Sequence, residues 1–385
     1  MFIRTTALSQ KKRQMNKWFI LICFALLSVY PIYSNFYYSN GLLTYERHRA
    51  VIEKRSEFYN PWQYRVLCPY LVEAGLWVYN HTLDKVFPIE QKFNFNIEST
   101  SGTSAETDTF VQLMQTPGAV KYMLIFILFR WLEHMLIFYL TWKLLQYFIQ
   151  SDWLIFLGIN FLALSFGNAV NAADLSFNTY MDIIFYLLTA LLILYHKNPL
   201  WLIPITILAA LNRETGLLIP ALYFISKTDF TALAQKPFRF KNMVFPGIKT
   251  WVFTVVLYIL FMGIFIYLRW YFGYRPQQVW KVPAGLPMLK LNLLSAVGVK
   301  AWLELIGTFG MLPLLILYKF KSFPHLLKKW FIFLVPVWFG VHYVSVVAYQ
   351  TRLFMVPMIL IFIPMVLYWV ENDIIRKSQT QTAIN

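Results

Sequence analysis

Residues 250–270 read TWVFTVVLYILFMGIFIYLRW, with Arg269 as the one charged residue. The run is as long as the roughly 20 residues that an α-helix needs to cross the hydrocarbon core of a bilayer. Comparable apolar runs recur at residues 18–38, 122–148, 153–170, 181–195, 200–225, 301–320, 330–349 and 353–370, with a shorter one at 66–79. The sequence therefore predicts an all-α, polytopic transmembrane helical bundle with roughly eight to ten membrane segments.

Composition supports the same class. Hydrophobic residues make up 58% of the chain and charged residues 14%, and the mean hydropathy is +0.53. A soluble protein carries about a quarter charged residues, so the expected solvent for this chain is a lipid bilayer. The net charge of +16 comes from short basic runs between the apolar stretches, as the positive-inside rule favours. A nucleic-acid-binding protein gathers such charge on one folded surface, so nucleic acid is not an expected partner.

We expect a single integral membrane domain over residues 1–385, with polar loops near 39–65, 81–117, 226–249 and 271–300. Pro276, Pro283, Gly285 and Pro287 make the last of these a turn-rich loop. The two cysteines, Cys23 and Cys68, form no disulfide or metal framework. Nothing in the sequence indicates the oligomeric state.

Basic residues at the start of the chain precede its first apolar run. This pattern predicts an uncleaved signal anchor with a cytoplasmic N-terminus. Two topologies then place the basic regions at 236–249 and 319–329 and the C-terminal tail inside. In the first, residues 66–79 span the membrane. In the second they do not, and residues 200–225 form two half-helices that return to the same face, which Pro204 and Pro220 would permit.

Charged side chains inside apolar runs are costly and therefore indicate partners or functional sites. Asn212, Arg213 and Glu214 lie in the middle of the apolar run at 200–225. Neighbouring residues on a helix point about 100° apart, so Arg213 and Glu214 are expected to pair elsewhere rather than with each other. A substrate site and a structural ion pair between two helices both fit.

Two other groups of polar residues accompany the apolar runs. Arg130, Glu133 and His134 form a cluster inside residues 122–148, which fits an interhelical network or the lining of a cavity. Asp174 and Asp182 lie in an amide-rich boundary between two membrane runs. Such residues suit sugar hydroxyls, a divalent cation or general-base catalysis, while helix capping is the competing interpretation.

Tyr64 and Arg65 precede the short run at 66–79, and Arg352 precedes the last one. At a membrane interface an arginine commonly snorkels towards the headgroups. A guanidinium can also fork onto two oxygens of a lipid-linked phosphate, which makes both arginines candidate phosphate ligands. The chain has no Gly-rich phosphate loop and no HExxH sequence, which disfavours nucleotide-driven transport and zinc hydrolysis.

Tyr64-Arg65-x-Leu67-x-Pro69, the acids near Asp174 and Asp182, and Asn212-Arg213-Glu214-Thr215 together resemble bacterial multi-pass envelope proteins similar to the GT-C superfamily of membrane glycosyltransferases. The resemblance implies an all-helical fold, a polyprenyl-phosphate-linked sugar donor and catalysis at the outer face of the bacterial inner membrane. Arg352 is similar to a phosphate-contacting position of such enzymes. Members usually carry an acid just after the first helix, whereas residues 35–44 contain none.

The resemblance further implies an inverting glycosyl transfer to an envelope glycan or glycolipid. Glu214, Asp174 and Asp182 are the candidate catalytic carboxylates, and Arg213, Arg65, Arg352, Asn212 and Tyr64 are the candidate substrate ligands. The sequence leaves the cofactor open, and a divalent cation is compatible with the paired acids. The alternatives are a transporter or flippase of lipid-linked saccharide, and a polysaccharide polymerase.

Overall fold

The computed structural model describes residues 16–39, 41–92, 105–169, 177–230, 244–279 and 282–375. Its α-helices are α1 (Lys17–Leu27), α2 (Val29–Ser39), α3 (Gly41–Ile52), α4 (Leu67–His81), α5 (Ile89–Lys92), α6 (Ala105–Gln115), α7 (Ala119–Phe148), α8 (Asp152–Ala169), α9 (Phe177–Leu194), α10 (Leu202–Asn212), α11 (Leu218–Lys227), α12 (Ile248–Phe272), α13 (Leu286–Leu294), α14 (Ala296–Phe309), α15 (Leu312–Tyr318), α16 (His325–Ser345), α17 (Met355–Pro357) and α18 (Ile363–Trp369). Tighter or wider helical turns cover Tyr59–Gln63, Leu83–Lys85, Pro199–Trp201, Glu214–Leu217, Phe320–Ser322, Thr351–Phe354, Met358–Phe362 and Val370–Ile375. Two short antiparallel strands, β1 (Gln278–Val279) and β2 (Val282–Pro283), complete the described chain. The predicted all-α class is confirmed.

Six helical segments of the described chain are long and apolar enough to cross a membrane, namely Lys17–Ser34, Ala119–Phe148, Asp152–Ala169, Phe177–Leu194, Ile248–Phe272 and Thr351–Asp373. α14 and α15 qualify together as a seventh, bent by 70°. The chain is therefore an integral membrane protein. The count is below the predicted eight to ten because α4 has only 15 residues, residues 200–225 are broken, and α16 carries Lys328 and Lys329 in its first turns.

Residues 200–225 form a hairpin rather than one continuous helix. Arg213 adopts an extended conformation (φ −164°, ψ 150°), which ends α10 before α11 begins. A Cβ atom added to Gly216 would lie 2.8 Å from the Cβ of Ala209, so the chain folds back on itself there and needs a glycine. The beginning of α10 and the end of α11 also lie near each other, because Leu202 and Lys227 line the same cavity. We call α10, residues 213–217 and α11 the re-entrant hairpin.

Several helix ends gather at one end of the bundle. The Tyr195 hydroxyl donates to the Lys143 carbonyl (3.2 Å), and the Glu371 carboxylate accepts the backbone N–H of Ser151 (2.7 Å). The outer ends of the re-entrant hairpin lie at this level, beyond the C-terminal end of α9. Eight lysines share this region, which we call the lysine end: Lys17, Lys143, Lys197, Lys227, Lys319, Lys321, Lys328 and Lys329.

α4 stays at the opposite end of the bundle. It begins beside the tip of the re-entrant hairpin, where Arg65 contacts Glu214, and it ends near the first turn of α7, where Lys121 pairs with Asp84 (2.7 Å). Midway, the Glu73 carboxylate accepts the Tyr122 hydroxyl (2.7 Å). α4 therefore does not cross the bundle, and the returning half-helices match the second of the two predicted topologies.

Three predicted loops contain helices. α3 occupies part of 39–65, α5 and α6 occupy parts of 81–117, and α13 occupies part of 271–300. In the last of these loops the turn-forming residues lie at the helix boundary. Gly285 has φ +101° directly before α13, and Pro287 lies in its first turn, where a missing N–H costs nothing.

Candidate functional site

The tip of the re-entrant hairpin is held by buried hydrogen bonds to α9. The Thr215 hydroxyl donates to Asp182 Oδ2 (2.6 Å), and the Tyr186 hydroxyl donates to the Thr215 carbonyl (2.6 Å). The Asn212 side chain donates to the Asn178 carbonyl (2.9 Å). These bonds fix the broken tip of the hairpin against α9.

Glu214 lies between two arginines from different parts of the chain. Arg65 donates from both Nη2 (2.8 Å) and Nε (3.1 Å) to Glu214 Oε2. Arg269, from the last part of α12, donates to Oε1 (3.4 Å). Both carboxylate oxygens are therefore engaged, while 31% of the Glu214 side chain stays exposed. The expectation that Arg213 and Glu214 pair elsewhere is confirmed.

Arg213 and Arg352 converge on one hydroxyl. Arg213 Nη1 lies 3.5 Å from Thr179 Oγ1, and Arg352 Nη1 lies 3.4 Å from the same atom. Arg213 also faces Asp182 at 3.8 Å, a loose ion pair. The Nε atoms of both arginines are buried and have no hydrogen-bond partner among the described residues.

These four side chains, Arg65, Arg213, Arg269 and Arg352, form what we call the arginine cluster. Arg65 and Arg213 are both within electrostatic range of Arg352. Among the described residues the cluster forms ion pairs only with Asp182 and Glu214. Within the described part of the chain, four guanidinium groups thus face two carboxylates, a surplus of two positive charges beside the broken helix.

The structure brings most of the predicted site residues together. Arg65, Arg213, Arg352, Asp182 and Glu214 all belong to or contact the arginine cluster. Arg65 and Arg352 are not snorkelling at the surface as the alternative interpretation supposed; the Arg65 side chain is only 14% exposed. Asp174 lies outside the described residues.

Asn212 and Tyr64 lie at the site with their polar atoms already engaged. The Asn212 amide exchanges hydrogen bonds with Asn178 and also accepts from Cys68 Sγ (3.3 Å). The Tyr64 hydroxyl donates to the Gly273 carbonyl (2.9 Å), while its ring lies under the Arg269 guanidinium at 4.5 Å. In this arrangement both residues help to hold the structure around the arginine cluster, and their polar atoms bond other parts of the protein.

Arg269 and Thr179 are two residues of the site that were not predicted from the sequence. Arg269 is the one charged residue of the apolar run at 250–270, and that rarity alone marks it as a site candidate. Thr179 carries no comparable signal, because a hydroxyl in a membrane helix commonly bonds its own backbone.

Arg130, Glu133 and His134 are buried in the middle of α7. The Arg130 guanidinium stacks on the Phe177 ring at 4.6 Å, and the His134 ring meets the Tyr180 ring edge-on at 4.4 Å. Within the described chain, both oxygens of Glu133 and both ring nitrogens of His134 lack hydrogen-bond partners. The predicted interhelical network is therefore absent for Glu133 and His134.

The described residues include no group of three His, Cys, Asp or Glu side chains that could hold a metal ion. Comparison with protein-family models, with curated proteins and with solved structures finds no match to this chain. The geometry of the arginine cluster is consequently the main guide to function.

Proposed function

We propose that this protein is a membrane glycosyltransferase whose donor is a sugar carried on a polyprenyl phosphate. The charge balance of the arginine cluster carries the proposal. A surplus of two positive charges in low-dielectric surroundings is costly unless an anion balances it. The phosphodiester of the donor supplies one negative charge, the polyprenyl phosphate that leaves gains a second, and their free oxygens match the fork of a guanidinium.

The two carboxylates suit different roles. The Asp182 side chain is 0% exposed and lies opposite Arg213, so it orients that guanidinium. Glu214 is 31% exposed, so a substrate hydroxyl can reach it. In the proposed reaction Glu214 accepts the proton of the acceptor hydroxyl, and the hydroxyl oxygen bonds to the sugar carbon. The bond from that carbon to the phosphate oxygen breaks, and Arg213 and Arg352 stabilise the departing phosphate.

The placement of the site is consistent with an outward-facing enzyme of a bacterial inner membrane. The lysine end matches the cytoplasmic side under the positive-inside rule, which puts the N-terminus inside. The arginine cluster lies towards the opposite end of the bundle, where the polar segments between α2 and α7 gather. An envelope glycan or glycolipid acceptor would meet the donor on that side.

A transfer assay tests the proposal. Purified protein in lipid nanodiscs would be incubated with radiolabelled polyprenyl-phosphate hexose or pentose and an envelope glycan or glycolipid fraction as acceptor, and release of the polyprenyl phosphate measured. We expect release in the wild type and a loss of about a hundredfold or more in Arg352→Gln. Lys197→Gln, at the lysine end, is the control that keeps wild-type activity. Absence of release with every donor, in protein that remains folded, would refute the proposal.

A transporter or flippase of lipid-linked saccharide is the second candidate, and the re-entrant hairpin favours it. Broken membrane helices whose tips meet charged ligands are common in transporters. Sealed liposomes containing a fluorescent polyprenyl-phosphate sugar distinguish the two functions. A transporter moves the intact lipid between leaflets, whereas a glycosyltransferase breaks its sugar–phosphate bond.

A further inference from the structure

We propose that Glu214 acts as an internal substitute for the substrate phosphate, and that phosphate binding displaces it and frees it as the catalytic base. The inference rests on the proposed function and adds a regulatory step to that site. The observation behind it is that the carboxylate most accessible for catalysis is also the one held by two members of the arginine cluster.

The contact between Arg65 and Glu214 has the geometry of an anion bound by a guanidinium. Two nitrogens of Arg65 donate to one carboxylate oxygen, at 2.8 and 3.1 Å. Arg269 reaches the other oxygen at 3.4 Å. Two oxygens of a phosphate can take the same two positions, because carboxylate and phosphate offer guanidinium groups similar acceptor pairs.

Glu214 in this position is a poor base. Both neighbouring guanidinium groups stabilise its charged form, and its lone pairs are directed at them rather than at an acceptor. Catalysis therefore needs Glu214 to leave Arg65 and Arg269. The arriving phosphodiester competes for the same donors, because it carries one negative charge, as the carboxylate does, and two free oxygens.

Arg213 and Arg352 provide the first contact for the incoming phosphate. Neither is fully engaged: Arg213 faces Asp182 only at 3.8 Å, and no described carboxylate forms an ion pair with Arg352. Their Nε atoms lack hydrogen-bond partners in the described chain. A phosphate anchored there can then draw Arg65 and Arg269 away from Glu214. The base is thus uncovered only when a donor is present, which limits unproductive proton transfer.

Binding measurements on Glu214→Gln test this order of events. The probes are inorganic pyrophosphate and farnesyl phosphate, titrated into detergent-solubilised full-length protein by calorimetry. Because an internal competitor weakens the apparent affinity of the site, its removal should tighten binding by about tenfold or more. Transfer activity should fall in the same variant. Glu214→Ala serves as a second variant without the amide that could still contact Arg65.

Asp182→Asn is the charge-matched control, because it also removes one negative charge beside the arginine cluster. A gain in affinity confined to the Glu214 variants supports displacement. Equal gains in Asp182→Asn and Glu214→Gln would show a general charge effect and overturn it. Unchanged affinity in the Glu214 variants, with normal probe binding by the wild type, would also overturn displacement while leaving the proposed function standing. Absence of probe binding by the wild type and every folded variant would refute both.

Discussion

Asn178 and Asn212 exchange hydrogen bonds in the bundle interior and join α9 to the re-entrant hairpin. The Asn178 amide donates to Asn212 Oδ1 (3.2 Å), and the Asn212 amide returns a bond to the Asn178 carbonyl (2.9 Å). The Asn212 side chain is 0% exposed. The end of α10 thus owes its position to a paired amide contact rather than to apolar packing alone.

Replacing Asn212 with alanine should destabilise the protein. The substitution removes the buried bonds that the Asn212 side chain makes with Asn178 and Cys68, at about 0.5–1.5 kcal/mol for each bond, while the Asn178 amide keeps its bond to the backbone carbonyl of residue 212. The melting temperature in detergent should fall clearly below that of the wild type. Asn160→Ala is the matched control, because among the described residues Asn160 bonds only the Phe156 carbonyl of its own helix. Equal melting temperatures for both variants would contradict a special role for the Asn178–Asn212 pair.

Arg213→Lys should separate function from stability. An ammonium keeps the charge opposite Asp182 but cannot reproduce the planar fork that reaches Thr179 and a substrate phosphate together. We expect turnover to fall by about two orders of magnitude with little change in melting temperature. A purely structural ion pair predicts the reverse, namely a lowered melting temperature with turnover retained in the folded fraction. Both quantities should be measured on the same preparations.

His134→Phe should maintain or raise the melting temperature. The His134 ring is fully buried near Phe166 and Tyr180, and neither nitrogen has a hydrogen-bond partner in the described chain. A phenyl ring fills similar space without the cost of unpaired polar atoms. His48→Phe is the matched comparison and should be destabilising, because His48 bonds Glu73 at 2.8 Å. A marked loss of stability in His134→Phe would indicate a partner that binds the imidazole.

Glu73 should make the protein sensitive to acid. Burial of the carboxyl is offset by hydrogen bonds from His48 and Tyr122, which together leave the pKa of Glu73 below its ordinary value of 4.5. A carboxyl with a lowered folded-state pKa stabilises the fold above its unfolded pKa, and that stabilisation is lost as the pH falls through the folded-state pKa. The melting temperature of the wild type should therefore drop more steeply below about pH 4.5 than that of Glu73→Gln. Parallel pH profiles would contradict this.

The helical class and the identity of many site residues were predictable, because both follow from local sequence. Long apolar runs require helices in lipid, and charges inside them require partners. Arg65, Arg213, Glu214 and Arg352 were each recognisable as exceptions within or beside an apolar run. Their assembly into one cluster was not predictable, since it depends on contacts between residues up to 173 positions apart, such as Arg352 with Thr179.

The break in residues 200–225 shows a second limit. Hydropathy counts the run as one span, and Pro204 and Pro220 only permit a break without requiring it. The hairpin depends instead on contacts that exist only in the folded chain. Gly216 packs against Ala209, and Thr215 bonds Asp182 on another helix. The helix α13 was missed for a related reason, since Pro287 can equally start a helix or prevent one.

Cysteine labelling tests the arrangement of the two ends of the bundle across the membrane. Ser322 lies at the lysine end between α15 and α16, and Glu57 lies on the opposite side with its side chain 68% exposed. If the lysine end is cytoplasmic, a membrane-impermeant maleimide added to intact cells should label Glu57→Cys and spare Ser322→Cys. Permeabilised cells should allow labelling of both, which confirms that the Ser322→Cys thiol is reactive. The wild type supplies the background of Cys23 and Cys68. Labelling of Ser322→Cys in intact cells with protection of Glu57→Cys would invert the topology and place the arginine cluster on the cytoplasmic side.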